Sequence, residues 1–187
     1  MRIFFVLIVL FRFCLCSAQK NDKNQIDSIF SQTKKIEIYA YLVQSKWDKK
    51  DKYEYLKNDS IIRIPEIYLR NKIEISKNQI TKLKKNLVKS NNEIGEIADC
   101  YEPRHTIVFY NKKDEILGFV ELCFSCVNSR VSDNFIILKD KMLLQEKLFQ
   151  EFGITYFEDT KEETDTFLKK SEEKEMELEK KFKNKNE

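Results

Sequence analysis

The sequence predicts a small α+β domain: an antiparallel sheet with a central β-hairpin (about residues 104–124), two packed helices (about 77–89 and 140–152) and a charged C-terminal tail. Three observations carry this reading. Ser76 and Gln79 form a Ser-x-x-Gln capping box that opens an apolar stripe of helical period. The polar run Asn111–Glu115 separates two β-branched and aromatic segments, as a hairpin turn does. A second helical stripe ends on Gly153, a residue suited to the left-handed position just past a helix.

Taken in order, residues 1–18 read as a signal peptide. Arg2 supplies the positive start and Phe4 to Phe11 an apolar core. Cys16 and Ala18 place small side chains before a cleavage site at Gln19. The apolar run is far short of the roughly 20 residues a membrane span needs, so the expected location is exported, periplasmic or extracellular. An uncleaved leader or a lipid on Cys14 or Cys16 is the alternative, and the only expected membrane contact. Residues 19–34 read as a linker or short helix, with Ile26, Ile29 and Phe30 as its apolar group.

A single domain then spans 35–158. "KIEIYAYLV" is a strand from about Ile36 to Val43. "YEYL" and "IIRI", separated by Asn58-Asp59-Ser60, suggest a hairpin that Pro65 ends. Ile73 and Ile75 alternate as a strand. Ile80, Leu83 and Leu87 then repeat on one face of the helix over 77–89. In the second helix Leu144, Leu148 and Phe152 share a face, Ile154 folds back on Phe149, and "ITYF" suggests a short strand. Residues 159–187 are dominated by Glu and Lys, and their apolar side chains are too sparse for a heptad seam. A solvated tail, helical or disordered, is expected, and it is the candidate surface for a protein partner.

Composition excludes more than it names. The 34 basic and 31 acidic side chains give a net charge of +3, without the clustered excess of a nucleic-acid binder. Three glycines leave no phosphate-cradling loop, and neither HExxH nor CxxCH occurs. Lysine, isoleucine and asparagine are all frequent, so lysine-rich stretches alone carry little weight.

The chemistry gathers in "CYEPRHTIVFYNKKDEILGFVELCFSC", which holds the only histidine and every cysteine beyond position 16. A three-residue loop closed by Asn111 and Glu115, with Asp114 left-handed, pairs Phe109 with Leu117, Ile107 with Phe119 and His105 with Glu121. That register puts His105, Glu121 and Cys123 on one face and Cys100 near Cys126; a slip of one residue moves His105 to the other face. Four chemical readings stay open. A disulfide among Cys100, Cys123 and Cys126, with Cys100 as one partner, would staple the open end of the hairpin, contributing roughly 2–4 kcal/mol. Cys100, His105, Cys123 and Cys126 could ligate zinc tetrahedrally. Cys123 and Cys126 could act as a redox pair, although such pairs usually sit at a helix N-terminus. Cys123, His105 and Glu121 could serve as nucleophile, base and orienter. Three inert core thiols and a buried, hydrogen-bonded histidine are the bland counterpart. Glu102 and Arg104 flank the cluster as a rim ion pair, as a contact for an anion, or as solvated charges.

At these residues the chain resembles a group of exported Bacteroidetes proteins that share a pattern close to CYxPRHxIVFY, a hairpin turn and ICFxC. Here the pattern runs through Cys100, Tyr101, Pro103, Arg104 and His105, then Leu122, Cys123, Phe124 and Cys126, with Leu122 where that group tends to have isoleucine. The resemblance covers about residues 75–157. It implies only that Cys100, His105, Cys123 and Cys126 belong together, and no activity transfers with it. The expectation is therefore an exported, non-enzymatic binding or structural module of the cell envelope, with no cofactor beyond a candidate zinc ion. A thiol-dependent enzyme or redox protein is the opposing class.

Overall fold

A computed structural model of the chain describes residues 21–57, 63–90 and 100–183. The leader and the Asn58–Ser60 turn lie outside the described residues. The described residues open with a helix over 21–32 (α1), followed by strand β1 (Lys35–Tyr41) and helix α2 (Lys49–Lys57). Strand β2 (Leu69–Glu74) and helix α3 (Lys77–Lys89) come next, then strands β3 (His105–Tyr110), β4 (Ile116–Cys123) and β5 (Asn128–Val131). Helices α4 (Lys139–Leu143), α5 (Glu146–Phe152) and α6 (Lys161–Lys183) complete it. The five strands form one antiparallel sheet in the order β2-β1-β3-β4-β5, so the predicted hairpin is central and the class is α+β.

Alternation along the strands gives the sheet two unlike faces. On one, Ile36, Ile38, Ile107, Phe109, Val120 and Leu122 are buried against Ile26, Ile29 and Phe30 of α1, Leu83 and Leu87 of α3, and Leu148, Phe149 and Phe152 of α5. This apolar layer is the main core. The other face carries Glu37, Tyr39, Tyr41, Thr106 and Glu121. Part of it is covered by an aromatic cluster of Tyr41, Trp47, Tyr55 and Tyr68. Trp47 stacks on Tyr68 with ring centroids 4.6 Å apart and meets Tyr55 edge-on at 5.3 Å.

Helix α3 begins where its capping box requires. The Ser76 hydroxyl accepts from the Gln79 N–H, and the Gln79 side chain accepts from the Ser76 N–H at 2.8 Å. Helix α5 ends on Gly153 at φ 108°, and the Ile154 N–H reaches the Phe149 carbonyl at 3.0 Å, which buries Ile154.

Several local expectations need correction. Tyr53 and Tyr55 lie on α2, not on a strand: "KKDKYEYLK" alternates only by accident. A helix lets Asp51 accept from Tyr68 at 2.9 Å while Tyr55, one turn on, points inward. The helix expected over 140–152 is broken at Leu144 and Gln145, so Leu144 leaves the shared face and is 47 % exposed. "ITYF" forms no strand. The N–H groups of Thr155 and Tyr156 both donate instead to the Asn71 side chain at 3.0 Å.

The tail is helical through Lys183, and its first turns are not free. Thr160 and Glu163 cap α6 reciprocally, the Thr160 N–H donating to the Glu163 carboxylate and the Glu163 N–H to the Thr160 hydroxyl. Glu163 also pairs with Arg70 of β2, which ties the start of the tail to the sheet edge. Further along, Leu168 and Met176 are exposed. Among the described residues no helix is long and apolar enough to cross a membrane.

Candidate functional site

The hairpin turn forms as its residues predict. The Asn111 N–H donates to the Glu115 carbonyl at 2.9 Å, Asp114 adopts φ 60°, and Tyr110 pairs with Ile116. One step later the register shifts by one residue, because Leu117 bulges out and Phe109 pairs with Gly118. From there Val108 opposes Phe119, Ile107 opposes Val120, Thr106 opposes Glu121, and His105 opposes Leu122. Gly118 explains the shift. A side chain there would run into the Phe135 ring and the Ser132 hydroxyl, so only glycine lets Phe135 close onto the strand and against Phe109, 4.9 Å away.

The consequence reaches the whole site. Opposed residues share a face, so His105 now lies on the apolar side with Leu122, while Glu121 and Cys123 point to the tyrosine-rich side. The expected pairing of His105 with Glu121 is overturned, and the Cys123–His105–Glu121 arrangement is not assembled.

His105 is 1 % exposed and sits among the rings of Phe124, Phe149 and Phe157, with centroids at 5.0, 6.5 and 4.7 Å. Its Nε2 lies 2.8 Å from the Tyr156 carbonyl, so Nε2–H is the donor and Nδ1 is buried without a hydrogen-bond partner. Burial among apolar rings pulls its pKa down to about 4, helped by the charge of Arg104 and opposed by the bond to Tyr156. At neutral pH this is an uncharged core side chain that holds the segment after α5 against β3.

Arg104 is neither a rim charge nor a partner of the Glu102 carboxylate. Its guanidinium forks onto Asp159, with Nε and the second terminal nitrogen 3.2 and 3.3 Å from the two carboxylate oxygens. Lys46 at 2.8 Å and the Tyr156 hydroxyl at 2.7 Å complete the shell. Burial by itself would raise the Asp159 pKa; the bonds from Arg104, Lys46 and Tyr156 outweigh it and hold the value at about 2.

Glu121, which the sequence offered only as an orienter beside Cys123 and His105, is instead the centre of a buried hydrogen-bond network. Only 1 % exposed, it accepts from Tyr41 at 2.9 Å, Gln44 at 3.0 Å and Tyr55 through one oxygen, and from Tyr101 at 2.9 Å and Arg130 at 3.0 Å through the other. A carboxylate offers about four lone-pair sites, and five donors saturate it. Burial first, and then the Glu121 charge, push the phenol pKa values of Tyr41, Tyr55 and Tyr101 up, so all three stay protonated as donors. Two strands, α2, a turn and the segment before β3 are thereby tied to one charge. The sequence signal was faint: an acidic residue in an apolar strand, opposite no basic neighbour in its own hairpin.

The cysteines divide differently from expectation. Cys123 and Cys126 form a disulfide across the turn that joins β4 to β5, with Cα atoms 5.3 Å apart, and Val127 at φ 49° follows. The bridge therefore closes that turn, not the open end of the β3–β4 hairpin. Cys100 is a free, exposed thiol. The Glu102 N–H lies 3.4 Å from the Cys126 sulfur, and the Cys123 sulfur lies 3.5 Å from the Ser125 hydroxyl. The four candidate zinc ligands do not converge: two sulfurs are bonded to each other and His105 occupies the opposite face. Among the described residues no group of three or more His, Cys, Asp and Glu side chains is placed to hold a metal ion. Comparison with known proteins finds no family model, no curated protein and no solved structure that matches this chain.

Proposed function

We propose that the chain is an exported, non-catalytic binding or structural module of the cell envelope, with the Cys123–Cys126 bridge as a local staple. The observation that supports this most is the state of the three side chains that catalysis would need. Cys123 is bonded to Cys126, His105 is sealed under phenylalanine rings, and every acceptor site of Glu121 is taken. A bridge fits an oxidising compartment, which agrees with the leader read from residues 1–18. The carboxyl-terminal helix, with Leu168 and Met176 exposed among its charges, is the surface best suited to a protein partner.

Thermal unfolding of the full chain tests the staple. Added reductant should lower the midpoint, a chelator should leave it unchanged, and native protein processed after Ala18, which removes Cys14 and Cys16, should expose one thiol, Cys100. Unfolding on chelation, or a hyper-reactive thiol at position 123 at neutral pH, would overturn this reading in favour of a metal site or a thiol enzyme. Export is tested by expressing the full chain and sequencing the mature amino terminus. Processing after Ala18 in an extracytoplasmic fraction is expected, and an unprocessed cytosolic product would contradict it.

A further inference from the structure

We infer that Cys100 and the Cys123–Cys126 bridge together form an intramolecular thiol–disulfide exchange site. The inference rests on the bridge of the preceding reading and adds a second covalent state to it. Three positions carry it. Cys100 is exposed and unbonded. The residues just after it are pinned to the bridge region, Tyr101 by its hydroxyl to Glu121 at 2.9 Å and Glu102 by its N–H to the Cys126 sulfur at 3.4 Å. Standard backbone dimensions then place the Cys100 Cα within about 9 Å of the Cys126 sulfur. A displacement of a few ångströms of Cys100 itself, with Tyr101 and Glu102 left in place, brings the thiol into contact.

The step balances without an oxidant. Cys100 loses its proton to solvent, and the thiolate attacks the Cys126 sulfur. A Cys100–Cys126 bond forms as the Cys123–Cys126 bond breaks, and Cys123 leaves as a thiolate that takes a proton from solvent. Cys126 is the target because it is the sulfur that Glu102 approaches. Cys123 is the leaving group, and the Ser125 hydroxyl beside it can donate to the departing charge. The new bridge ties the segment entering β3 to the β4–β5 turn. It closes a far longer loop than the present bridge, whose cysteines are separated by 3 positions, and so restricts the unfolded chain more.

Peptide mapping of the chain processed after Ala18, which leaves Cys100, Cys123 and Cys126 as its three cysteines, purified without reductant, tests this. Trypsin places Cys100 in the peptide Ser90–Arg104 and both Cys123 and Cys126 in the peptide Asp114–Arg130. During incubation at pH 8.5, a disulfide-linked pair of these peptides should accumulate, with alkylating label moving from Cys100 to Cys123. At pH 5.5 the accumulation should be at least tenfold slower, because the thiolate is the reactive form. A Cys123→Ser variant exposed to oxidised glutathione should form the Cys100–Cys126 bridge internally, and Cys100→Ser should yield no linked pair. Label confined to Cys100 after a day at pH 8.5, or linkage only between two copies of Cys100, would refute the inference while leaving the staple intact. Finding no Cys123–Cys126 bridge at the outset would instead overturn the staple.

Discussion

The burial of His105 makes a quantitative claim about pH. Its pKa is about 4 in the folded chain and near 6.5 when exposed. Between these values the unfolded state binds a proton that the folded state refuses, so stability rises with pH through this window. The contribution is fully present above about pH 6.5 and is lost as pH falls towards 4. A tenfold change in proton affinity between the two states corresponds to about 1.4 kcal/mol, so the whole window is worth about 3 kcal/mol, of which about 2 kcal/mol disappears between pH 7.5 and 5. His105 is the chain's only histidine, and the lowered carboxyls of Asp27, Glu37, Asp159 and Glu163 have unfolded-state midpoints of 4.5 or below, so they are mostly ionised in both states at pH 5. Stability changes from side-chain titration between pH 6.5 and 5 therefore belong chiefly to this one residue. The assay is urea unfolding followed by Trp47 fluorescence at pH 7.5, 6 and 5, on the wild type and on His105→Gln and His105→Phe. The wild type should lose about 2 kcal/mol over this range and both variants should stay nearly flat, whatever their absolute stability. A wild type insensitive to pH, or an equal slope in both variants, would refute the burial of a neutral imidazole.

Three further outcomes follow from the same geometry. Glu121→Ala should destabilise by about 3–5 kcal/mol, because it strands buried tyrosine hydroxyls and removes one half of a buried ion pair; chemical denaturation measures it. Gly118→Ala should cost about 1–3 kcal/mol through the clash with Phe135, and should broaden the signals of the bulge in an amide spectrum. Gly153→Ala should cost about 1 kcal/mol from backbone strain alone, since φ is 108° and no atom lies within 4 Å of the added carbon; a matched loss in thermal midpoint, with an unchanged amide spectrum elsewhere, checks it.

Which of these features were legible in the sequence follows from how local their causes are. The capping box at Ser76 and Gln79, the left-handed positions at Asp114 and Gly153, and the Asn111–Glu115 turn are decided by neighbouring residues, and each was readable. The α2 helix was not legible, because tyrosines at alternate positions imitate a strand, whereas the partners of Tyr55 and Asp51 are Glu121 and Tyr68, distant in sequence. The bulge at Leu117 had a visible sign in Gly118, a glycine inside an apolar strand. Its cause, the Phe135 ring, lies beyond the hairpin. The same holds for Glu121, whose tyrosine and glutamine partners come from β1, α2, the turn after β1 and the segment before β3. A register counted from the turn inherits an error at the first irregularity, and every site residue here lay past that point.

The division of the cluster between two faces of the sheet depends on that single bulge, and cross-strand proton contacts in a solution spectrum measure it directly. With the bulge in place, Ile107 should lie opposite Val120, Thr106 opposite Glu121 and His105 opposite Leu122. Contacts that place Ile107 opposite Phe119 and His105 opposite Glu121 would contradict it, returning the imidazole, the carboxylate and the Cys123 sulfur to one face.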